Sequence, residues 1–297
     1  ISSERSPHNM PASRKLIKSR IKSVKNTRKI TKAMELVAAS KMRKAVAATL
    51  KGRPYVRLAK ETIEAVMAKS ANVEHELLNP GKGTRDLVIV FTSDRGLAGG
   101  YNVNMIKFVR DAMRKMGDVD VIAVGKRGGD ALQRLKFNVI ASFTGLGNAP
   151  QYKDIIPVAR MAIDGFTGGS YRRVHLYYTD FISGVTQTPT AQIVLPYGAT
   201  EVLLPTADPL ASVEYTMEPS PHDLLSQMIP RLVMTAFYQA LLESSASEHA
   251  ARMLAMKRAS DSARDMMESL TFTYNQVRQA GITQEIAEIS SGAAALS

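Results

Sequence analysis

Apolar residues recur at helical spacing near both ends of the chain, and a different pattern separates the two stretches. From Ser13 to about Ser70, Ile17, Ile21, Val24, Ile30, Met34, Val37 and Met42 trace a narrow stripe through good helix formers, with Ser13 as N-cap. So narrow a stripe suits a seam between two helices better than a broad face on a core. Gly52 and Pro54 should kink or briefly break this helix, because proline removes a donor and clashes with the preceding turn. Between about Pro221 and Leu296 the helical signal returns, through Leu225, Met228, Leu232, Ala236 and Ala240. It thins into small and polar residues from Ser244 to Ser262, then recovers at Met266, Leu270, Val277 and Ile282. The polar middle argues against simple core burial, and Pro230 should kink the helix early.

The middle of the chain alternates. Asp86–Phe91 is a short apolar run of the buried-strand kind, and Val119–Val124, Asn138–Phe143, Val174–Tyr178 and Gln192–Leu195 are further strand candidates. Helical patterns fall between them at Asn104–Met116, Asp130–Leu135 and Ile155–Phe166. Strand alternating with helix predicts a mostly parallel sheet covered by helices, a Rossmann-like layer. After Pro196 the chain is irregular and rich in Pro, Thr and Ser. The predicted fold class is therefore α/β: a long antiparallel coiled coil of N- and C-terminal helices plus a central Rossmann-like domain. The expected boundaries are an extension over 1–12, the first coiled-coil helix over 13–80, the α/β domain over 81–215 and the last helix over 216–297.

Two such helices at opposite ends of one chain pair only by folding back on each other. At 1.5 Å per residue they would measure roughly 85 Å and 110 Å, leaving the second to overhang by ~25 Å. On that overhang Ile282, Ile286, Ile289, Ala293 and Leu296 follow a heptad with no partner left in the chain. A lone apolar helix tip frays and aggregates unless something surrounds it, so the pattern predicts a larger assembly.

Charge sharpens the picture. Formal net charge is +12, and the first sixty residues hold 17 basic residues against Glu4 and Glu35, so the remainder is slightly acidic. The basic helix calls for an acidic surface close to it, whether nucleic acid, anionic lipid or an acidic protein face. Duplex or single-stranded nucleic acid is the main rival on charge alone, and a basic coiled-coil nucleic-acid-binding protein is the alternative function. Against it, the basic residues surround the apolar stripe instead of forming a separate face, and aromatics for stacking are nearly missing from that helix.

Candidate chemistry is thin. With no cysteine, disulfides, thiolate metal sites and a cysteine nucleophile are excluded. His8, His75, His175, His222 and His249 stand apart, with no HxxxH or HExxH pair, so no metal site is predicted. Gly81–Thr84 lacks the phosphate-loop spacing and precedes a strand instead of following one. Gly96–Gly100 follows the first strand but does not spell GxGxxG, and reads as a strand-to-helix turn; Gly125–Gly129 likewise reads as a turn. Asp94 and Asp180, near strand ends, read as caps or turn organisers before an acid/base pair. No cofactor and no catalytic residue are predicted, which leaves a Rossmann-like enzyme as the third and weakest reading. No stretch approaches the ~20 apolar residues of a membrane-spanning helix.

Segments in three regions of the chain carry a resemblance. Ile30-Thr-Lys-Ala-Met-Glu-Leu-Val-Ala-Ala-Ser-Lys-Met-Arg-Lys44 resembles the N-terminal signature of the gamma subunits of F-type ATP synthases. Thr92-Ser-Asp-Arg-Gly-Leu-Ala-Gly-Gly-Tyr-Asn102 is similar to that family's first-strand loop. Ser247-Glu-His-Ala-Ala-Arg-Met-Leu-Ala-Met256 and Ile282-Thr-Gln-Glu-Ile-Ala-Glu-Ile-Ser-Ser-Gly-Ala-Ala-Ala-Leu296 resemble its C-terminal helix. In the right order, these blocks span essentially Pro11 to Leu296.

The resemblance implies a non-catalytic central rotor shaft that transmits rotation of a membrane c-ring to catalytic beta subunits. The implied partners are the alpha/beta hexamer, the c-ring and an epsilon-type subunit, called delta in mitochondria, with no nucleic acid. Met34 and Arg252 are expected to contact a beta subunit, and Arg278, Gln279, Thr283 and Glu285 to form a polar catch against it. Ile282, Ile286, Ile289, Ala293 and Leu296 are expected to turn in a hydrophobic bearing. Small residues such as Ala246, Ala250, Ala255 and Ala259 would keep the shaft thin. The family loop usually carries cysteine where Ala98 stands, and the two-cysteine insertion of the chloroplast form has no counterpart here, which excludes its thiol control. The segment from Ile1 to Asn9 resembles a transit-peptide remnant, so the expected location is peripheral on the matrix side of the mitochondrial inner membrane, with the cytoplasmic side of a bacterial inner membrane as alternative.

Overall fold

A computed structural model of the chain describes residues 14–69, 75–198 and 221–296. Ser13, the extension before it and most of the irregular stretch after Pro196 lie outside the described residues. Two compact units divide the chain, Ile1–Leu36 with Ala255–Ser297, and Val37–Leu254. The two terminal helices, α1 (Arg14–Lys69) and α5 (Pro221–Leu296), contribute to both units.

In the larger unit the elements follow as β1 (Arg85–Phe91), α2 (Tyr101–Met113), β2 (Val119–Val124), α3 (Lys126–Arg134), β3 (Asn138–Phe143), α4 (Tyr152–Thr167), β4 (Tyr171–Phe181) and β5 (Gln187–Leu195). The sheet runs β3-β2-β1-β4-β5; the first four strands are mutually parallel and β5 closes one edge antiparallel to β4. β1 is central, and its two faces explain why it reads as an unbroken apolar run. Leu87, Ile89 and Phe91 pack with α4 and with Leu225, Ile229, Val233, Phe237 and Leu241 of α5. Val88 and Val90 pack on the other face with Met105, Val109 and Met113 of α2 and Leu132 of α3. A parallel sheet covered on both faces is the Rossmann-like layer that strand–helix alternation predicts.

Element by element, β2 and β3 keep their predicted limits, while β4 and β5 run longer than the apolar signal suggests. At the start of β4 the extra residues extend the parallel pairing with β1, through Tyr171 and Arg173, and at its end they form an antiparallel hairpin with β5, where Asp180 pairs with Thr188 and Phe181 with Gln187. Polar side chains are tolerated there because the hairpin is a solvated edge. Gly125–Gly129 is more than a turn: Gly125 precedes α3 and Gly128 and Gly129 lie buried in its first turns. The helix can start so close to the sheet because Gly128 leaves room for Thr92 Oγ1, which accepts its backbone N–H at 2.9 Å. α1 continues through Gly52 and Pro54, and α5 through Pro230, so the predicted break at 52–54 does not occur. One lost ladder bond leaves the flanking turns paired, and Pro54 is exposed, where its ring meets solvent.

The helix seams correct the predicted stripe. In the smaller unit the covered positions of α1 are Ile17, Ile21, Val24, Arg28, Thr31 and the adjacent pair Met34 and Glu35, a heptad rhythm that includes the predicted Met34. On α5 Met256, Ser260, Ala263, Met267, Leu270, Tyr274, Val277 and Gly281 are covered in the same rhythm, flanked at the start by the half-buried Ala255, Ala259 and Asp261. Ile30, Val37 and Met266, which the apolar pattern assigned to the stripes, are exposed, and so is Ile282, the first residue of the heptad expected to lack a partner in the chain. The heptad that Ile17, Ile21 and Val24 set continues onto Arg28 and Thr31 and leaves Ile30 outside it. The two helices meet in each unit: Arg14 reaches Glu285 in the smaller one, and Gly52 faces Gln239 in the larger.

Candidate functional site

The polar middle of α5 turns out to be its most deeply buried part: every residue from Ala240 to Ala250 is buried. The reading that polarity there lowers the case for core burial is therefore overturned. Small side chains let the helix approach the sheet closely, and their hydroxyls find backbone partners. Ser247 Oγ donates to the Thr179 carbonyl at 3.0 Å, Ser245 Oγ donates to the Gly147 carbonyl at 2.8 Å, and the Thr179 N–H donates to Ser244 Oγ at 3.3 Å. Partnered hydroxyls cost little to bury.

This stretch sits over the carboxyl ends of β1 and β2 and reaches Thr179 near the carboxyl end of β4, so it covers the switch point between β1 and β4 where open α/β sheets hold ligands. Phe91, Thr92, Asp94, Tyr101, Gly125, Ser244, Ser245 and Glu248 surround what remains of that crevice, whose free space is about 10 Å³. That admits no more than a single water, so α5 fills the place a nucleotide would take. The β1–α2 loop beside it is fixed as a turn. Asn102 accepts the Ser93 N–H at 3.0 Å, Ser93 Oγ donates to the Arg95 carbonyl at 2.6 Å, and Asp94 accepts the N–H groups of Lys126 and Gly145 at 3.0 and 2.8 Å. Asp94 is a turn organiser, as the sequence suggests.

Arg252 ties α5 to that loop. Its Nη1 reaches Glu248 Oε1 at 2.7 Å, and its Nη2 lies 3.4 Å from the carbonyls of Arg95 and Gly96. Both side chains are nearly covered, 13% and 10% exposed. Burial raises the Glu248 pKa while Arg252 opposes the shift. The neighbouring His249 is pushed down to about 4, first by burial and then by the Arg252 and Lys41 charges. Its Nε2 has no hydrogen-bond partner, which suits a neutral ring. At the opposite end of the sheet His175 faces Asp86 at 3.4 Å, with its pKa lowered chiefly by burial. Among the described residues no three metal-ligating side chains cluster, and no helix is long and apolar enough to cross a membrane.

The proposed contact residues separate into two kinds. Arg252 is held inside the larger unit by Glu248 and the loop. Met34 is half-buried beside the α1 seam, and Arg278, Gln279, Thr283 and Glu285 are exposed on α5. Thr283 Oγ1 donates to its own helix at the Gln279 carbonyl, and Glu285 accepts from Arg14 Nη2 at 3.2 Å. Ile286 and Ile289 are 62% and 73% exposed, and Ile282 is exposed too. Ala293 and Leu296 lie in α5, but their side chains fall outside the described residues. Sequence reasoning missed Glu248, His249, Tyr101 and Arg14. The i,i+4 spacing of Glu248 and Arg252 was a usable signal for the first; nothing local marks Arg14.

The family model described as ATP synthase matches residues 13–296. The ATP synthase gamma chain of Herpetosiphon aurantiacus is 42% identical over 297 residues, covering 96% of this chain and 99% of that one. Among solved structures, the central stalk and c-ring of the Tetrahymena thermophila mitochondrial ATP synthase contains a chain 28% identical to this one. The TM-score is 0.58, with 78% of this chain and 99% of that chain covered. The rotor of the Euglena gracilis mitochondrial ATP synthase matches in fold, with TM-score 0.67 at 19% identity over 91% of this chain and 99% of the other.

Proposed function

The chain belongs to the ATP synthase gamma-chain family, and from that premise we propose that it is the central rotor shaft of a proton-translocating ATP synthase. It is a non-catalytic subunit; the nucleotide chemistry belongs to its partners. In this reading residues 13–80 and 216–297 form the shaft, and 81–215 the base that stands on the c-ring and holds an epsilon-type subunit. Proton flow turns ring and shaft together, and the shaft presents different faces in turn to the catalytic beta subunits.

The observation that carries the reading is the end of α5. Past Glu285 it continues for eleven residues, about 16 Å of helix, with Ile286 and Ile289 bare to solvent. Apolar side chains at heptad spacing suit a sleeve in the alpha/beta hexamer, since hydrophobic contact is non-directional and tolerates rotation. Arg278, Gln279, Thr283 and Glu285 stand on the exposed helix just before the tip, where they form the polar catch, and Met34 meets a beta lever loop. The exposed lysines of α1, at Lys15, Lys18, Lys22, Lys25 and Lys29, fit acidic surfaces. Exposed ion pairs worth about 0–1 kcal/mol each hand over from one partner to the next without locking. Arg252 acts from within, and its effect on a beta subunit passes through the loop it holds. The mitochondrial placement is the finer part of the proposal; the 42% relative is bacterial and the 28% structural neighbour mitochondrial.

The test is co-purification with an ATP-hydrolysing alpha/beta hexamer, followed by Arg278→Ala and Gln279→Ala. Both variants should weaken ATP synthesis more than they lower the unfolding midpoint. A strictly monomeric chain, or wild-type synthesis in both variants, removes the shaft or the catch respectively. Fractionation of the source cells decides the compartment.

A further inference from the structure

Glu285 does not stand free on the α5 surface. Arg14, in the first turn of α1, reaches it across the helix pair with Nη2 3.2 Å from Oε1. The same guanidinium lies against Gly281, one turn earlier on α5. A Cβ built at Gly281 would stand 3.0 Å from Arg14 Nη2, 3.3 Å from Cζ and 3.6 Å from Nε. The nearest of these atoms is the free end of the Arg14 side chain, so a methyl group at Gly281 would press on the fork and move it by a few tenths of an ångström away from its place beside Glu285. Gly281 is also a seam position in the middle of a long helix, where glycine costs roughly 0.5–1 kcal/mol relative to alanine. Helix propensity does not favour it, and the Arg14 side chain is what lies against it.

We infer that Arg14 is a positioning residue of the polar catch: seated on Gly281, it holds the Glu285 carboxylate in place and joins α1 to the surface that α5 offers to a beta subunit. The inference rests on the proposed role of Glu285. An unheld glutamate on an exposed helix samples many rotamers, and fixing one in advance removes that ordering cost from every encounter with a partner. The group a partner brings to Glu285 then meets a carboxylate that already has the Arg14 cation beside it. That favours an uncharged donor, a hydroxyl or amide N–H, over a second full cation.

The assembled enzyme carrying Arg14→Gln, Gly281→Ala, both changes together, Arg14→Lys or Glu285→Gln tests this. ATP synthesis and unloaded ATP hydrolysis are measured beside the unfolding midpoint of the full chain. An exposed pair corresponds to about a two- to fivefold effect. Arg14→Gln and Gly281→Ala should each reduce synthesis by that factor, and the double variant by no more than either one. Arg14→Lys should keep most of the rate, because only Nη2 touches Glu285. Gly281→Ala supplies the readout that a purely structural role does not move: alanine strengthens the helix, so the midpoint should hold or rise while synthesis falls. Wild-type synthesis in Arg14→Gln and Gly281→Ala overturns the inference, as does a double variant whose loss is the product of the single ones. If Glu285→Gln is silent while Gln279→Ala is impaired, the inference falls and the shaft reading stands. If the wild-type chain does not assemble with an alpha/beta hexamer, both fall.

Discussion

Replacing Arg252 with glutamine leaves Glu248 buried beneath the β1–α2 loop without its counter-ion, and the cost follows from the geometry. The pair is a single short contact of 2.7 Å between side chains 13% and 10% exposed, so solvent screens it little. Breaking such a pair from one side costs about 3–5 kcal/mol, chiefly the price of an uncompensated buried charge. The two carbonyl contacts of Nη2, at 3.4 Å, are long and add little. Proton uptake by Glu248 relieves part of the penalty, since burial already raises its pKa. A loss of about 3 kcal/mol is therefore expected, or roughly 6–12 °C in the unfolding midpoint of a unit this size. Glu248→Gln should cost less, about 1–2 kcal/mol, because Arg252 keeps its carbonyl neighbours. The double variant should recover part of the loss, with a coupling of at least about 1 kcal/mol between the two positions. Thermal and urea unfolding of the four proteins supplies every number. A midpoint within about 1 °C of wild type in Arg252→Gln, or strict additivity across the cycle, refutes the idea that the pair locks α5 to the loop.

Because the His249 pKa is pushed down to about 4, the unfolded chain binds a proton near pH 6.5 that the folded protein refuses until well below. Stability should fall as pH drops through that window, by up to about 3 kcal/mol in all. The raised Glu248 pKa acts with the opposite sign above the usual carboxylate range, so the quantity to compare is the slope in wild type against His249→Gln. Identical slopes between pH 4 and 6.5 exclude His249 as a source of acid sensitivity. Gly128→Ala should lower the unfolding midpoint through a cost of about 1–3 kcal/mol, because its Cβ would stand 2.6 Å from Thr92 Oγ1. Gly117→Ala, where nothing lies within 4 Å, should not. Ile289→Asp should leave the free chain's stability within about 0.5 kcal/mol, as befits an exposed position, yet depress the yield of assembled, synthesising enzyme; normal assembly and synthesis would count against the bearing.

The sheet was legible because its strands are short apolar runs bounded by turn residues, and β1, buried on both faces, carried the strongest of them. The long helices were equally plain from composition and spacing. What periodicity could not deliver was which residues form the seams. Ile30, Val37 and Met266 look like core residues and stand exposed, while Arg28, Thr31, Glu35 and Ser260 line the covered side. A seam between thin helices selects for register and for what fits, not for hydrophobicity alone, so a stripe of the largest apolar residues drifts off it. Arg14 escaped notice for another reason: Arg14 and Gly281 are 267 positions apart, and the glycine that makes room for the arginine looks on paper like a weak point in a helix.

The buried middle of α5 joins these observations into one argument. Apolar periodicity fails between Ser244 and Ser262 because the helix there meets two different neighbours in succession. Up to Arg252 it lies in the crevice at the carboxyl ends of β1 and β2, where serines bond to the Thr179 and Gly147 backbone and Arg252 reaches the loop carbonyls. From Met256 onward it follows a heptad seam of the smaller unit. An enzyme with this sheet keeps that crevice open for a ligand; here the chain's own helix closes it with hydrogen bonds and an ion pair. Directional bonds resist sliding and twisting as apolar packing does not, so a helix fastened in this way moves with the sheet it is fastened to. The small and hydroxyl-bearing residues of α5 therefore stand where the sheet is, and the heptad seam follows after them.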